Sequence, residues 1–492
     1  MSASPVSLVQ SVDHVALLPG YLAAGTAVLV LLTDLLLARP RATVAAGAVG
    51  ATATALGAAL VGADGDRGTF CVADGCSWVA DDRAGLVGAV FALLTLGVLA
   101  LAGPLLRGGR MPVGEFCFLL ACSMTGGVVL GAAGDLITLI VALETLTLPL
   151  YVLVGLRRGS VAGAEAAVTF FVVSVVATTV TLLGAALLYA VTGRLHLRPL
   201  GATLTEDAAL LDLPLTTVAV TLVVLGLAFK VAAVPFHAWA PATYDGAPVP
   251  VAAYLSTASK LGGVVALLAV VQHALPATVT GPVLALLAAL TMTVGNLVAL
   301  RQRRMVRLLA WSSVAQAGYI LAPLGALALA AGRTTDARAA AYAAAVAYAV
   351  FFVVLELGAF AGVVALRPDG ADGGTVAEYQ GAARRHRWTG AAYGLALVGL
   401  AGLPPGLAGL FAKVTVVRSL LTGGAGWLAL VVALNAVVGL AYYLRVAATL
   451  YAPAAEPAPT LRRSRSVVAT LAVATAVAAV LGLAPQLLFG LV

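Results

Sequence analysis

Charged residues are scarce in this sequence: they make up 10% of its 492 positions, against roughly a quarter in an average soluble domain. Beside a hydrophobic share of 62%, that shortage excludes a soluble globular fold. Lysine is scarcer still, with 25 Arg but only three Lys, at Lys230, Lys260 and Lys413. The net charge of +7 is scattered in small clusters and not gathered into a face or stripe, which argues against nucleic acid as a partner. The four Cys show no C-x-x-C or Cys/His spacing of the zinc type, so no metal site is expected. Cys117 and Cys122 lie on different faces of one apolar stretch and read as buried thiols. Cys71 and Cys76 sit in a polar loop, where a small disulfide depends on that loop facing an oxidising compartment. No basic region precedes the first apolar run and no A-x-A site follows it, so a removed signal peptide is not expected. Phosphate-loop, dinucleotide, iron-sulfur and haem motifs are missing as well, and no redox cofactor is expected in this chain.

What remains is apolar sequence. A membrane helix takes about 20 apolar residues, and fourteen apolar runs follow one another, the first from near Leu17 and the last from near Val467. Their continuity excludes a membrane barrel, whose strands alternate with period two. The expected fold is all-α, a polytopic membrane bundle of about 14 transmembrane helices. Cytoplasmic loops are rich in Lys and Arg, so alternate loops test the orientation. Those that include Arg39, Arg110, Arg157, Arg304, Arg367, Arg445, Arg462 and Arg463 hold eighteen arginines in all, and the other set, with Arg67, Arg194 and Arg338, holds seven. Both termini are therefore expected outside, together with the loop of Cys71 and Cys76, which also carries Asp64, Asp66, Asp74, Asp81 and Asp82. The basic loops fit a bacterial cytoplasmic membrane.

Two runs carry signs of interruption. One reads GLAFKVAAVPFHAWAPATYDGAPVPV around Lys230 and the other GLAGLPPGLAGLFAKVTVV around Lys413. Proline removes a donor and clashes with the preceding turn, and unwound backbone within a membrane is tolerated only where protein buries it or a wet cavity receives it. Glycine and proline are common in membrane helices, but here each break lies within nine residues of a lone lysine. These are the seventh and twelfth runs, five apart and opposite in direction, a pairing that points to an inverted-repeat ion transporter.

A charge at the centre of a membrane helix costs roughly 2.5 to 3.5 kcal/mol on insertion scales, so each needs a reason. Glu144, Lys230, Lys260, Glu356 and Lys413 all lie inside apolar runs. A desolvated lysine can lose its proton whereas arginine stays charged. A GC-rich genome replaces Lys wherever Arg is tolerated, so three surviving lysines mark places where a permanent charge does not serve. Singly, each buried charge reads equally as a structural ion pair; together they form a row of groups able to take up and release protons. His237, two residues past Pro235, adds a group titrating near neutral pH, with a hydrogen-bonded plug as its structural alternative.

The strings LETLTLPLYVLVGLRR, GLAFKVAAVPFHAWAPATYDGAPVPVAAYLSTASK, RRMVRLLAWSSVAQAGYIL and GLPPGLAGLFAK resemble the subunit N family of bacterial NADH:quinone oxidoreductase, respiratory complex I. The likeness runs from about residue 113 to 450. It implies fourteen helices holding two inverted five-helix repeats, with helices seven and twelve broken. By the same likeness Glu144 matches the helix-five glutamate, Lys230 the helix-seven lysine, Lys260 the central helix-eight lysine and Lys413 the helix-twelve lysine at the outer exit. The implied role is a proton-pumping module driven by electron transfer elsewhere, with FMN, iron-sulfur clusters and quinone in partner subunits and further antiporter-like subunits beside it in the bilayer.

Two positions depart from the family pattern. Thr169 stands where the family usually has a helix-six lysine, so either Glu144 pairs with Lys230 or another group, or the first half-channel is altered or silent. Glu356 is an acid on helix eleven where an uncharged residue is expected, and it offers a compensating protonatable site. The expected divisions are 1–111, three helices with the outer Cys loop; 112–275, the first repeat; 276–452, the second; and 453–492, an inner loop with the last helix. A subunit of a cation/proton antiporter or membrane-bound hydrogenase, or a non-pumping structural paralogue, is the alternative reading.

Overall fold

The computed structural model describes residues 11–72, 75–109, 111–453 and 464–489. Asp74, Arg110, Arg462 and Arg463 of the loop count lie outside the described residues. Six long helices open the chain: α1 (Leu18–Leu37), α2 (Pro40–Ala63), α3 (Asp82–Arg107), α4 (Val113–Gly131), α5 (Leu136–Gly155) and α6 (Val161–Thr192). Short α7 (Leu197–Glu206) and α8 (Ala208–Asp212) lead to α9 (Pro214–Lys230) and α10 (Trp239–Gly246). Then come α11 (Val249–Tyr254), a π-helical turn over Leu255–Ser259, and α12 (Lys260–His273). The second half holds α13 (Ala277–Ala299), α14 (Met305–Gly325), α15 (Thr335–Ala365), short α16 (Ala382–Arg385), α17 (Arg387–Ala401), α18 (Leu407–Thr422), α19 (Gly426–Tyr451), α20 (Arg465–Leu483) and short α21 (Gln486–Phe489).

Local chemistry sets many of the helix starts. Asp81, Asp135 and Ser160 accept the N–H groups of Ala84, Thr138 and Gly163 at the first turns of α3, α5 and α6, satisfying donors that a helix start otherwise leaves orphaned. Among the described residues, eleven helical segments are long and apolar enough to cross a membrane. The expectation of fourteen exceeds that number by the two interrupted segments and by α14, whose Arg307, Ser312, Ser313 and Gln316 dilute its apolar character.

Both interruptions are present. After Lys230 the chain leaves the helix through Ala232 at φ +59° and a cis Val234–Pro235 bond, and α10 resumes at Trp239. After Ala401 it turns through Gly402 at φ +80° and a cis Pro404–Pro405 bond before α18. The exposed backbone groups find partners inside the protein: Val234 N donates to Thr291 Oγ1 at 3.0 Å and Gly402 N to Val398 O at 3.0 Å. This is the condition under which irregular backbone survives away from water.

The bundle is helical as expected, and one short hairpin stands beside the helices among the described residues. Strands β1 (Arg67–Val72) and β2 (Gly75–Ala80) form an antiparallel hairpin with Cys71 opposite Cys76, and a disulfide joins the two. Beyond β2 the pairing continues, with Val79 N to Ala132 O, Gly134 N to Ser77 O, and Leu136 N to Leu195 O. The hairpin, the α4–α5 turn and the α6–α7 turn are thereby laced together at one end of the bundle. The arginine-rich connections meet at the other end. Arg304 bonds both carboxylate oxygens of Asp245 at 2.9 and 2.8 Å and reaches Asp372 at 3.0 Å, and Arg445 donates to the carbonyls of Leu300 and Gln302. The two loop sets separated by arginine content thus make their mutual contacts at opposite ends.

Candidate functional site

The five charges inside the apolar runs, four of them buried and Glu144 half-buried, fall into three groups. In the first, Lys230 at the last turn of α9 donates to Glu144 Oε1 on α5 at 2.7 Å, to Ser174 Oγ at 3.1 Å and to Thr147 Oγ1 at 3.3 Å. Thr178 also donates to Glu144 Oε1, at 2.6 Å, and Tyr151 donates to Ser174 at 2.5 Å. Lys230 is 6% exposed, whereas the Glu144 side chain is 21% exposed, so one end of the ion pair reaches the rim of the bundle. Of the alternatives opened by Thr169, the pairing of Glu144 with Lys230 is the one observed. Helix α6 turns Ser174 and Thr178 to the pair, while Thr169, half-buried, has no hydrogen bond to it.

The second group surrounds Lys260, which is 2% exposed. Its ammonium donates to Ser313 O at 2.6 Å and to Ser313 Oγ at 2.5 Å. Ser313 Oγ lies 3.1 Å from Ser256 Oγ, and Ser256 donates to Glu356 Oε1 at 2.6 Å. Two serines therefore bridge the lysine and the acid, and the two charges make no ion pair within 4.0 Å. The π turn just before Lys260 widens the helix at this point, a feature found often at functional sites. It sets Ser256 and Lys260 against the same serine of α14.

In the third group Lys413 on α18 turns back over the break and donates to Ala401 O at 2.6 Å and Leu400 O at 3.3 Å. These are the last carbonyls of α17, the negative end of its dipole. The ammonium also sits 5.2 Å from the centre of the Tyr319 ring, close enough for a cation–π attraction. Gln316 Nε2 donates to the same Leu400 carbonyl and to Tyr443 Oη, each at 3.1 Å. Tyr348 donates to Gln316 Oε1, and Ser312 bonds Tyr443. Gln316, Tyr443 and Ser312 therefore connect the surroundings of Lys413 to the α14 turn that carries Ser313.

His237 stands apart. It lies in the first break, half-buried, with its ring 5.1 Å from that of Trp311, and no hydrogen bond joins it to Lys230 or Lys260 among the described residues. Nor does a direct hydrogen bond join the Lys230 group to the Lys260 group. They meet instead through packing: a Cβ on Gly263 would stand 2.8 Å from the backbone carbon of Lys230 and 2.9 Å from its Cβ. Only glycine allows α12 to approach α9 this closely. Gly263→Ala is expected to lower stability by roughly 1–3 kcal/mol through overpacking and to spread the two lysines, measurable as a lower thermal midpoint of the solubilised protein. An unchanged midpoint contradicts the tight approach.

Ser174, Thr178, Ser256, Ser313, Gln316 and Tyr443 were not singled out from the sequence. A signal existed for part of the set, since Ser312, Gln316 and Tyr319 recur at helical spacing within an apolar run and mark one polar stripe of α14. Chemically, the hydroxyls both donate and accept and so can pass protons between the charged groups. The Leu400 carbonyl only accepts, so it positions Lys413 and Gln316 without relaying between them.

Comparison with known proteins adds a family. Residues 133–439 match the family described as NADH:quinone oxidoreductase/Mrp antiporter, TM. The chain is 73% identical, over 99% of its own length and 99% of the relative's, to NADH-quinone oxidoreductase subunit N of Salinispora tropica. It is 45% identical, over 94% of the chain and 87% of the relative, to subunit N 2 of Streptomyces griseus. Among solved structures it resembles a chain of respiratory complex I from Thermus thermophilus, with a TM-score of 0.78, 29% identity and coverage of 96% and 98%. A chain of the Mrp complex from a Dietzia species shares the fold, with a TM-score of 0.81, 23% identity and coverage of 97% and 95%. The chain belongs to the NADH:quinone oxidoreductase/Mrp antiporter family of membrane proteins, within its subunit N branch.

Proposed function

We propose that this chain translocates protons across the bacterial cytoplasmic membrane as a subunit of an NADH:quinone oxidoreductase, driven by electron transfer from NADH to quinone in partner subunits. The relay runs through Glu144, Lys230, Lys260, Glu356 and Lys413, with His237 beside the first break. The observation that carries this reading is the surroundings of the three lysines. Each is buried, and each is held by hydroxyls, backbone carbonyls or a carboxylate that tolerate its loss of a proton, where a guanidinium would keep its charge. The pairing of Glu144 with Lys230 keeps the first half-channel in use without a helix-six lysine.

On this reading residues 1–111 flank the machinery, 112–275 and 276–452 are the two inverted repeats, and 453–492 close the bundle. The interrupted segments and α14 complete fourteen spans. The arginine-rich end faces the cytoplasm, and both termini and the disulfide hairpin face outward. FMN, iron-sulfur clusters and quinone belong to partner subunits, and other membrane subunits, including antiporter-like ones, lie alongside in the bilayer. The test is NADH-driven acidification of inverted membrane vesicles carrying Glu144→Gln. Loss of a positioned proton carrier typically costs roughly 10²–10⁴-fold, and a fall of that order is expected. Unchanged acidification from a complex of normal stoichiometry overturns the reading in favour of a structural, non-pumping subunit.

A further inference from the structure

Two buried oxygens near Lys260 lack hydrogen bonds. Glu356 is 0% exposed, and while its Oε1 accepts from Ser256, its Oε2 has no partner. The hydroxyl of Tyr244, also 0% exposed, has none of good geometry either, although it lies beside Ser256, Ser313 and Glu356. Buried polar atoms in folded proteins are almost always satisfied, and where protein does not serve them an ordered water commonly does. Two unserved oxygens of the same polar cluster, one able to donate and one able only to accept when ionised, match the two sides of one water.

Three of the elements that carry these groups also line a cavity at the arginine-rich end or adjoin it. A cavity of about 30 Å³ there is lined by Arg157, Ala247, Val249, Val363, Arg367 and Asp372 among others. Val363 lies two helical turns beyond Glu356 on the same face of α15. Val249 precedes Ser256 by the same interval, and Ala247 follows Tyr244 by three residues. At 1.5 Å per residue, seven residues put the cavity about 10 Å from the acid. Its volume suits about one water.

We infer that protons enter the centre of this chain from the arginine-rich end between α11 and α15, passing Tyr244 of α10 and a buried water to Glu356, which loads Lys260. The inference rests on the proton-translocating reading and adds a route and a direction to it. A proton from the cavity side is accepted by Tyr244 Oη as the tyrosine releases its own to the water, and the water releases one to Glu356 Oε2. Glu356, now a neutral acid, gives a proton from its carboxyl group to Ser256 Oγ. Ser256 passes its own to Ser313 Oγ, and Ser313 passes its own to Lys260 Nζ. The net change is one proton taken up from the cavity side and one gained by the amine, with the tyrosine, the water, Glu356 and both serines restored. The carboxylate left behind is ready for the next proton.

The assay is acidification by vesicles carrying the whole complex, with Glu356→Gln, Glu356→Asp and Tyr244→Phe compared. Glu356→Gln keeps the shape and the Ser256 contact and is expected to slow acidification roughly tenfold or more; Glu356→Asp restores most of the rate. Tyr244→Phe is expected to slow it severalfold and to raise the solvent deuterium isotope effect, a readout that a packing role does not move. Wild-type rates in Glu356→Gln and Tyr244→Phe, beside a silent Lys260→Met, overturn the entry route and leave the relay standing. Wild-type rates in all three sink the relay itself. Loss in Glu356→Gln without rescue by Glu356→Asp, and with no isotope change in Tyr244→Phe, also overturns the route, because Glu356 is then a packing group.

Discussion

Lys260→Met is expected to abolish NADH-driven proton translocation while the complex still assembles. Among the described residues, Lys260 is the only cation hydrogen-bonded to the serine pair leading to Glu356, at 2.6 and 2.5 Å from Ser313. Methionine fills a similar volume but supplies no proton and no donor. The same substitution leaves Glu356 fully buried without its countercharge, and removing one partner of a buried charge pair costs roughly 3–5 kcal/mol. The value expected here is near the low end, about 3 kcal/mol, because two serines already separate the charges. Adding Glu356→Gln should therefore recover most of the lost thermal stability without recovering translocation. This double-mutant cycle separates the two roles of the pair, since stability reads the charge balance and acidification reads the proton path. A Lys260→Met complex that acidifies vesicles at the wild-type rate removes this residue from the mechanism.

Lys413→Arg is the second large effect, and it asks whether the ammonium does more than cap a helix. Lys413 satisfies the carbonyls of Leu400 and Ala401 at the end of α17, and an arginine retains a cation and donors for those oxygens. If capping is its whole role, Lys413→Arg performs nearly as well as the native chain. If Lys413 must release its proton, the guanidinium, which stays charged, silences translocation by roughly 10² or more. The second outcome is expected. Lys413→Met serves as the control: it loses both the proton carrier and the cap, leaving the Ala401 carbonyl poorer by roughly 1–3 kcal/mol, while Gln316 still donates to that of Leu400. Its complex should melt below that of Lys413→Arg while translocating equally little. Equal melting of the two variants, with translocation retained in Lys413→Arg, contradicts the assignment.

Different parts of this protein were legible at different levels. Both interruptions could be placed from Pro235 and Pro404–Pro405, because proline's missing donor acts locally whatever lies around it. The lone charges stood out for the same reason: the cost of a charge in an apolar run does not depend on the fold. The hairpin over residues 67–80 did not stand out, since two six-residue strands beside fourteen long apolar runs leave little periodicity. His237 had the right chemistry and proximity in the chain, yet it packs against Trp311 and joins neither lysine group.

Hydropathy, proline and charge are properties of a position and its near neighbours, and through them the sequence by itself determined the membrane class, the two broken segments and the five charges inside apolar runs. Which group meets which was decided only by the tertiary structure. Glu144 and Lys230 are 86 residues apart, Ser256 and Glu356 100, and Gln316 and Tyr443 127. Each contact depends on the rotation of two helices about their own axes and on how closely glycines such as Gly263 let them approach. A one-residue change in register turns a side chain by about 100°, so a hydroxyl such as Thr178 and a near neighbour such as Thr169 differ in role for reasons invisible along the chain. The proton-bearing groups were written in the sequence; the path between them exists only in the packing.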